Sequence, residues 1–251
     1  MIRIKKIVGS LLVGSSLLLA SGHGTTHWGY TGHTGPEYWG MLSHDFFMCQ
    51  EGKNQSPIDL SFEGMVRTQH LELIDFGYKT DAIEVVNNGH SIQVNMEDGS
   101  YIEVDDKRFY LKQFHFHSPS ENTIEGKSFP LEAHFVHLSN DGEIAVVALL
   151  FEEGRMNPTL KKIWSVMPHH AGDEEELELS SNYIRILLPR DKRYYRFSGS
   201  LTTPPCSEGV RWFVFKEYAQ ISDYQIEQFT SAMGVDNNRP VQPLNARKIL
   251  K

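Results

Sequence analysis

Apolar and polar residues alternate with a period of two over much of this chain. In Ser91-Ile92-Gln93-Val94-Asn95-Met96 the apolar residues fall on one face and the polar ones on the other, the pattern of a half-buried strand. Ile83–Val86 precedes it across Asn87-Asn88-Gly89, which predicts a strand, a turn and a second strand. Tyr101–Val104, Leu111–His117, Leu131–Leu138, Ile144–Phe151, Tyr183–Leu188 and Val210–Phe215 are further predicted strands. Helical spacing is rarer. Asn157–Met167 opens on an Asn cap with Pro158 in the first turn, and Asp223–Met233 follows Ser222 with apolar residues at helical intervals. No repeat or Pro/Gly/Ser linker divides the chain after His23. Many strands with a few peripheral helices predict one domain built on a large mixed sheet.

The first residues stand apart from this pattern. Arg3, Lys5 and Lys6 precede an apolar stretch, Ile7–Ala20, that ends in the small residues Ala20-Ser21-Gly22. Charge, apolar core and small-residue exit make a secretory signal, and the run is shorter than the roughly 20 residues that span a bilayer. The expectation is a signal peptide at 1–22 and a folded domain at 23–251. The protein would then be periplasmic or secreted, with no stable membrane anchor after cleavage. Removing three basic and no acidic residues takes the formal charge from -8 to -11. An acidic chain argues against nucleic acid as a partner. The 251 residues are 40% hydrophobic and 22% charged, as in a packed soluble domain. Cys49 and Cys206 are the two cysteines. An oxidising compartment lets them pair, for an ideal ~5 kcal/mol in the chain-entropy picture; unpaired, they would be buried thiols.

Candidate chemistry concentrates in Gln113-Phe114-His115-Phe116-His117. On a strand Gln113, His115 and His117 share one face, so both imidazoles can converge on an ion. Leu131-Glu132-Ala133-His134-Phe135-Val136-His137 repeats the design, with Glu132 and His134 sharing a face. If these strands are neighbours, a third imidazole completes a three-His site with an open position, the form of a catalytic zinc. The same alternation also suits ordinary half-buried strand histidines. His137, at odd spacing from His134, faces away and reads as a core histidine. Glu132 or Gln113 can accept from a ligand's second ring nitrogen; spacing does not say which serves which. Ser200-Leu201-Thr202-Thr203-Pro204-Pro205-Cys206 offers two hydroxyls on a Pro-stiffened segment, and Glu121 is an acceptor that can sit behind one of them. His23, His27 and His33 read as a solvated tail, and His169-His170 with Asp173–Glu176 as a polar surface loop.

These pieces resemble the alpha-class carbonic anhydrases, in particular their exported bacterial members. The resemblance runs in order through His27-Trp28-Gly29-Tyr30, Asn54–Asp59, Asn87–His90, Gln113–Ser118, Ser120–Thr123, Glu132–His137, Ser200–Cys206 and Asn237–Leu244. It implies a mainly β, single-domain fold with a large, mostly antiparallel twisted central sheet. It implies a Zn2+ cofactor on His115, His117 and His134, with Gln113 and Glu132 behind them. The implied reaction is reversible hydration of carbon dioxide to bicarbonate and a proton, with zinc hydroxide as nucleophile. Thr202, bonded to Glu121, would orient it, while Thr203 positions bicarbonate. Val136, Val146, Leu201, Val210 and Trp212 would form the apolar wall, Tyr30 would join the solvent network, and His90 would be the proton shuttle. Taken without the resemblance, His90 has the strand parity of Ile92 and Val94 and reads equally as a core residue. The resemblance also pairs Cys49 with Cys206 and implies a homodimer. His117-Ser118-Pro119 departs from the aromatic common after the second ligand in animal members, and the segment before Glu121 is short; both bear on the pocket rim. Alternatives are a zinc esterase and a non-catalytic binding module of the same fold.

Overall fold

The computed structural model describes residues 26–68 and 71–251; the expected signal segment and His23 lie outside them. In chain order the strands are β1 (Asp59–Leu60), β2 (Asp75–Gly77), β3 (Ala82–Asn87), β4 (Ile92–Met96), β5 (Tyr101–Val104) and β6 (Lys107–His117). They continue as β7 (Thr123–Ile124), β8 (Leu131–Leu138), β9 (Ile144–Glu153), β10 (Glu174–Leu179), β11 (Tyr194–Ser200), β12 (Glu208–Phe215) and β13 (Ala219–Ile221). Among the described residues eleven of them form one sheet in the order β10-β3-β4-β6-β8-β9-β12-β11, with β5 and β2 extending from β6 and β13 pairing with β9. Its ladders are antiparallel except β9–β12 and β9–β13, and β1 pairs with β7 in parallel as a separate two-stranded sheet. The fold is therefore mainly β and single-domain, with a mostly antiparallel sheet.

Strand alternation sorts the side chains into two cores. Phe114, Phe116, Ala133, Phe135, Val147, Leu149, Phe213 and Phe215 pack on one face. Val146, Ala148, Leu150, Val210, Trp212 and Val214 pack on the other. The histidines of β6 belong to this second face. A one-residue slip of β6 would turn Phe114 and Phe116 onto the histidine face and bury the imidazoles in the opposite apolar core, where they would lack polar partners. The apolar face thus fixes where the imidazoles point. A register shift between Leu111 and Gln113 adds one residue to β6. Strict alternation would place Leu111 with Gln113; the bulge sends it into the opposite core instead.

Two expected helices form: α3 (Pro158–Trp164) and α5 (Asp223–Met233), beside the short α1 (Trp39–Leu42) and α2 (Met48–Glu51). Asn157 Oδ1 caps α3 by accepting from Thr159 N at 3.0 Å and Leu160 N at 3.2 Å. Ser222 and Gln225 form a capping box on α5, which ends on Gly234 in the left-handed region at φ 71°.

Three expectations fail. The predicted strand Tyr183–Leu188 is helical, α4 (Ser181–Leu187). Its buried Ile184 and Leu187 are three apart, and Asp81 Oδ1 accepts from Ser181 N at 2.8 Å, so the cap comes from the residue just before β3. Glu174–Glu176, read as surface loop, opens the edge strand β10, whose Leu177 and Leu179 face the core. Its carboxylates blunt that edge against further pairing. The segment containing His27 and His33 is also no loose tail. Trp39, fully buried, donates from Nε1 to Gly29 O at 2.8 Å and Thr34 O at 3.0 Å, and packs with Trp28, Tyr30 and the Cys49–Cys206 disulfide.

Candidate metal centre

Strands β6 and β8 pair with His115 opposite His134 and His117 opposite Glu132. One donor nitrogen from each of His115, His117 and His134 lies within 4.8 Å of the others. Each imidazole is held from behind by a different acceptor. His115 Nδ1 lies 2.8 Å from Gln113 Oε1, and His117 Nδ1 lies 2.7 Å from the Asn237 carbonyl. His134 Nε2 is 3.0 Å from Glu132 Oε1, off the axis of a straight hydrogen bond. Donation to Gln113 and to the Asn237 carbonyl frees Nε2 of His115 and His117, and the Glu132 carboxylate beside Nε2 of His134 favours the proton there, leaving Nδ1 free.

Burial lowers the proton affinity of all three rings, most strongly at His115 and His134, where neighbouring imidazoles add to the effect. Neutral imidazoles are the form a metal requires. His117 Nε2 and Glu121 Oε2 are buried without a hydrogen-bond partner, 3.5 Å apart. Each such orphan costs ~1–3 kcal/mol if nothing binds it. Three converging nitrogens with an orphan atom among them fit a zinc ion.

Two carboxylates underlie the site. Glu132 Oε2 accepts from Glu121 N and Asn122 N, both at 2.8 Å, and Oε1 accepts from Asn122 Nδ2 at 2.7 Å. Burial raises its pKa to about 7 against those bonds. Burial likewise raises Glu121 to about 8, while the Thr202 hydroxyl and the Arg239 amide, the latter 2.8 Å from Oε1, pull it down. A bound cation favours the ionised form of both.

The remaining expected residues gather around this cluster to different degrees. Val146, Val210 and Trp212 are buried in the core on the histidine face, with Val136 and Leu201 packed against it. The Trp212 ring meets His134 edge-on at 4.9 Å. Thr202 is buried and Thr203 half-buried beyond β11. Cys206, on the same loop, is bonded to Cys49. His137 lies in the opposite core, its Nε2 2.8 Å from Tyr78 Oη. His90 falls in the turn before β4 rather than in the strand, so the parity that would bury it does not apply. Its ring stacks on Trp28 at 3.7 Å and 9°, and burial there, with His27 nearby, lowers its pKa to about 4. The Tyr30 hydroxyl is buried without a partner.

Sequence reasoning gave no role to Asn237, Arg239 or Asn122. Asn237 ties three parts together: its carbonyl holds His117, Oδ1 accepts from Ser118 N, and Nδ2 donates to Phe116 O and His90 O. Arg239, almost fully buried, donates to Gln55 Oε1, Ser56 O and Cys49 O. Both sit in a segment whose motif was visible, but a backbone carbonyl acceptor leaves no mark in residue type.

Residues 34–251 match the family model described as eukaryotic-type carbonic anhydrase. The chain is 48% identical to a carbonic anhydrase of Neisseria gonorrhoeae, over 99% of this chain and 97% of that protein. It superposes on the alpha-carbonic anhydrase of Thermovibrio ammonificans, solved with the inhibitor sulfanilamide, with a TM-score of 0.87 and 54% identity, covering 91% of this chain and 100% of that one. A dioscorin solved with ascorbate is a more distant neighbour, at TM-score 0.83 and 32% identity over 89% of this chain and 97% of that one. Fold, three-histidine geometry and full-length similarity agree that this chain belongs to the alpha-class carbonic anhydrase family, whose general reaction is the hydration of carbon dioxide.

Proposed function

We propose that this chain interconverts carbon dioxide and water with bicarbonate and a proton, at a zinc ion held by His115, His117 and His134. The convergence of three neutral imidazoles beside a partnerless carboxylate oxygen carries the reading. Zinc bound there supplies Lewis acidity that makes water nucleophilic near neutral pH. The residues around it do the rest. Gln113, Glu132 and the Asn237 carbonyl hold each ring in the tautomer that leaves a donor nitrogen free. Thr202 has a single proton to give; donated to Glu121, it leaves the hydroxyl lone pairs to orient the attacking oxygen. Carbon dioxide has no proton to donate, which suits the apolar wall of Val136, Val146, Leu201, Val210 and Trp212. Thr203 then positions the bicarbonate product.

His90 passes the released proton to buffer. Stacked on Trp28 at a pKa of about 4, it is a poor acceptor at neutral pH. The transfer therefore belongs to a conformer out of that stack, where hydration restores its basicity. Residues 1–22 direct export and 23–251 form the mature domain, in the periplasm or outside the cell. The disulfide supports this, and among the described residues no helix is long and apolar enough to cross a membrane.

A stopped-flow hydration assay, with zinc quantified on the same sample, tests the central claim. The expected result is stoichiometric zinc with hydratase activity, and loss of both in His115→Ala. Retained activity in a metal-free variant would overturn it.

A further inference from the structure

On the histidine-bearing face of the sheet, β3 and β4 carry an unbroken chain of side-chain hydrogen bonds. Asn95 Nδ2 donates to Glu84 Oε2 at 2.6 Å, Gln93 Nε2 to Asn95 Oδ1 at 2.7 Å, and Asn88 Nδ2 to Gln93 Oε1 at 3.3 Å. The ladder flanks the metal-site strand, with Gln93 opposite His115 and Asn95 opposite Gln113. At its far end Asn88 Oδ1 accepts from His90 N at 2.9 Å and Ser91 N at 2.8 Å, closing the turn that bears His90.

The direction of this chain is determined, because a primary amide has one accepting and one donating end whereas a carboxylate only accepts. Glu84 obliges Asn95 to present its NH2, so Asn95 shows its oxygen to Gln93. Gln93 must then point its own NH2 at Asn95 and its oxygen at Asn88. Asn88 is left with its oxygen free for the two backbone N–H groups of the turn. Both ends demand the same polarity: a carboxylate at one, two main-chain donors at the other. Three amides that could each flip are thereby held in one arrangement.

We propose that Glu84 is a positioning residue for His90: as the acceptor-only end of the Glu84–Asn95–Gln93–Asn88 ladder, it fixes the amide orientations that brace the His90 turn. It touches no reacting atom and acts through three neighbours. The proposal rests on the reading of His90 as proton shuttle, and its test separates the two.

Glu84→Gln keeps the shape but adds a donor, so that end no longer dictates which way Asn95 and Gln93 face, and only the two main-chain N–H groups at Asn88 still hold the original polarity. The half-buried Glu84 lies outside both cores, and Glu176 stands opposite it on β10. Removing one of two facing carboxylates is not expected to destabilise the fold. In weak buffer the variant is expected to show kcat reduced several-fold, with kcat/KM for carbon dioxide and zinc content unchanged. Added imidazole should restore kcat. In a His90→Ala background Glu84→Gln should have no further effect. Unchanged kcat, an equal fall in kcat/KM, or an undiminished effect without His90 would each overturn the proposal. If His90→Ala alone matches the parent protein, the shuttle reading fails instead. The ladder is then judged by the NMR shifts of the Asn88 side-chain amide and the His90 N–H, which move in Glu84→Gln if it stands and stay fixed if it does not.

Discussion

His90 and Trp28 show how much of a residue's chemistry comes from its neighbour. An imidazole in water titrates near 6.5, but against Trp28 the charged form loses solvent and the pKa falls to about 4. Trp28→Ala opens that side of the ring. The expected outcome is a His90 pKa raised toward 6.5, read by NMR titration of its ring protons; a value still near 4 would assign the shift to His27 or to the turn. The metal-binding pattern was legible at this scale because strand parity aligns Gln113, His115 and His117, and pairs Glu132 with His134. The assignment of acceptors was open, and it resolves as Gln113 to His115 and Glu132 to His134. The third acceptor was hidden. The Asn237 carbonyl reaches His117 from 120 residues away, and any residue type could supply it.

Elements were legible where local signals agree with tertiary ones. Asn157 with Pro158 marked the start of α3, and Asn157 Oδ1 does cap Thr159 and Leu160. The same side chain also donates from Nδ2 to Gln220 O at 3.2 Å. Asn157→Ala therefore removes a cap and one tie between α3 and the segment before α5. It is expected to cost about 1–2 kcal/mol, seen as a lower urea midpoint with unchanged hydration kinetics. Altered kinetics would show that α3 is coupled to the site. Tyr183–Leu188 misled because Tyr-Ile-Arg-Ile-Leu-Leu satisfies a strand's alternation as well as a helix's spacing. The deciding contact, Asp81 capping Ser181, lies 100 residues distant. β10 misled in the other direction: three glutamates look solvated, and an edge strand can be solvated on one side.

For the whole molecule, the sheet's alternation was legible but its order was not. Nothing local announces that β12 runs parallel to β9, or that a bulge in β6 divides Leu111 from the histidine face. The sheet also separates two kinds of histidine. His137, three residues after His134, is fully buried in the opposite core, bonded to Tyr78 and near the Ala145 carbonyl at 3.3 Å. Burial lowers its pKa to about 3. Unfolded, the same ring titrates near 6.5, so between these values the unfolded chain holds a proton that the folded chain refuses. Stability must then fall as the pH drops through that window, by at most about 1.4 kcal/mol per pH unit from this group. Asp105 acts in a lower window: the Arg196 and Arg211 guanidiniums hold its carboxyl below the usual range, and that contribution is lost only as the pH falls through its lowered folded value. His137→Gln keeps a polar partner for Tyr78 but removes the titration. Its unfolding free energy, measured by urea at pH 7 and pH 5, is expected to drop less between the two than that of the parent protein, even though the variant starts less stable. An equal drop would mean that acid sensitivity above pH 5 comes from the metal-site imidazoles, and comparing zinc-loaded with zinc-free protein would then locate it there.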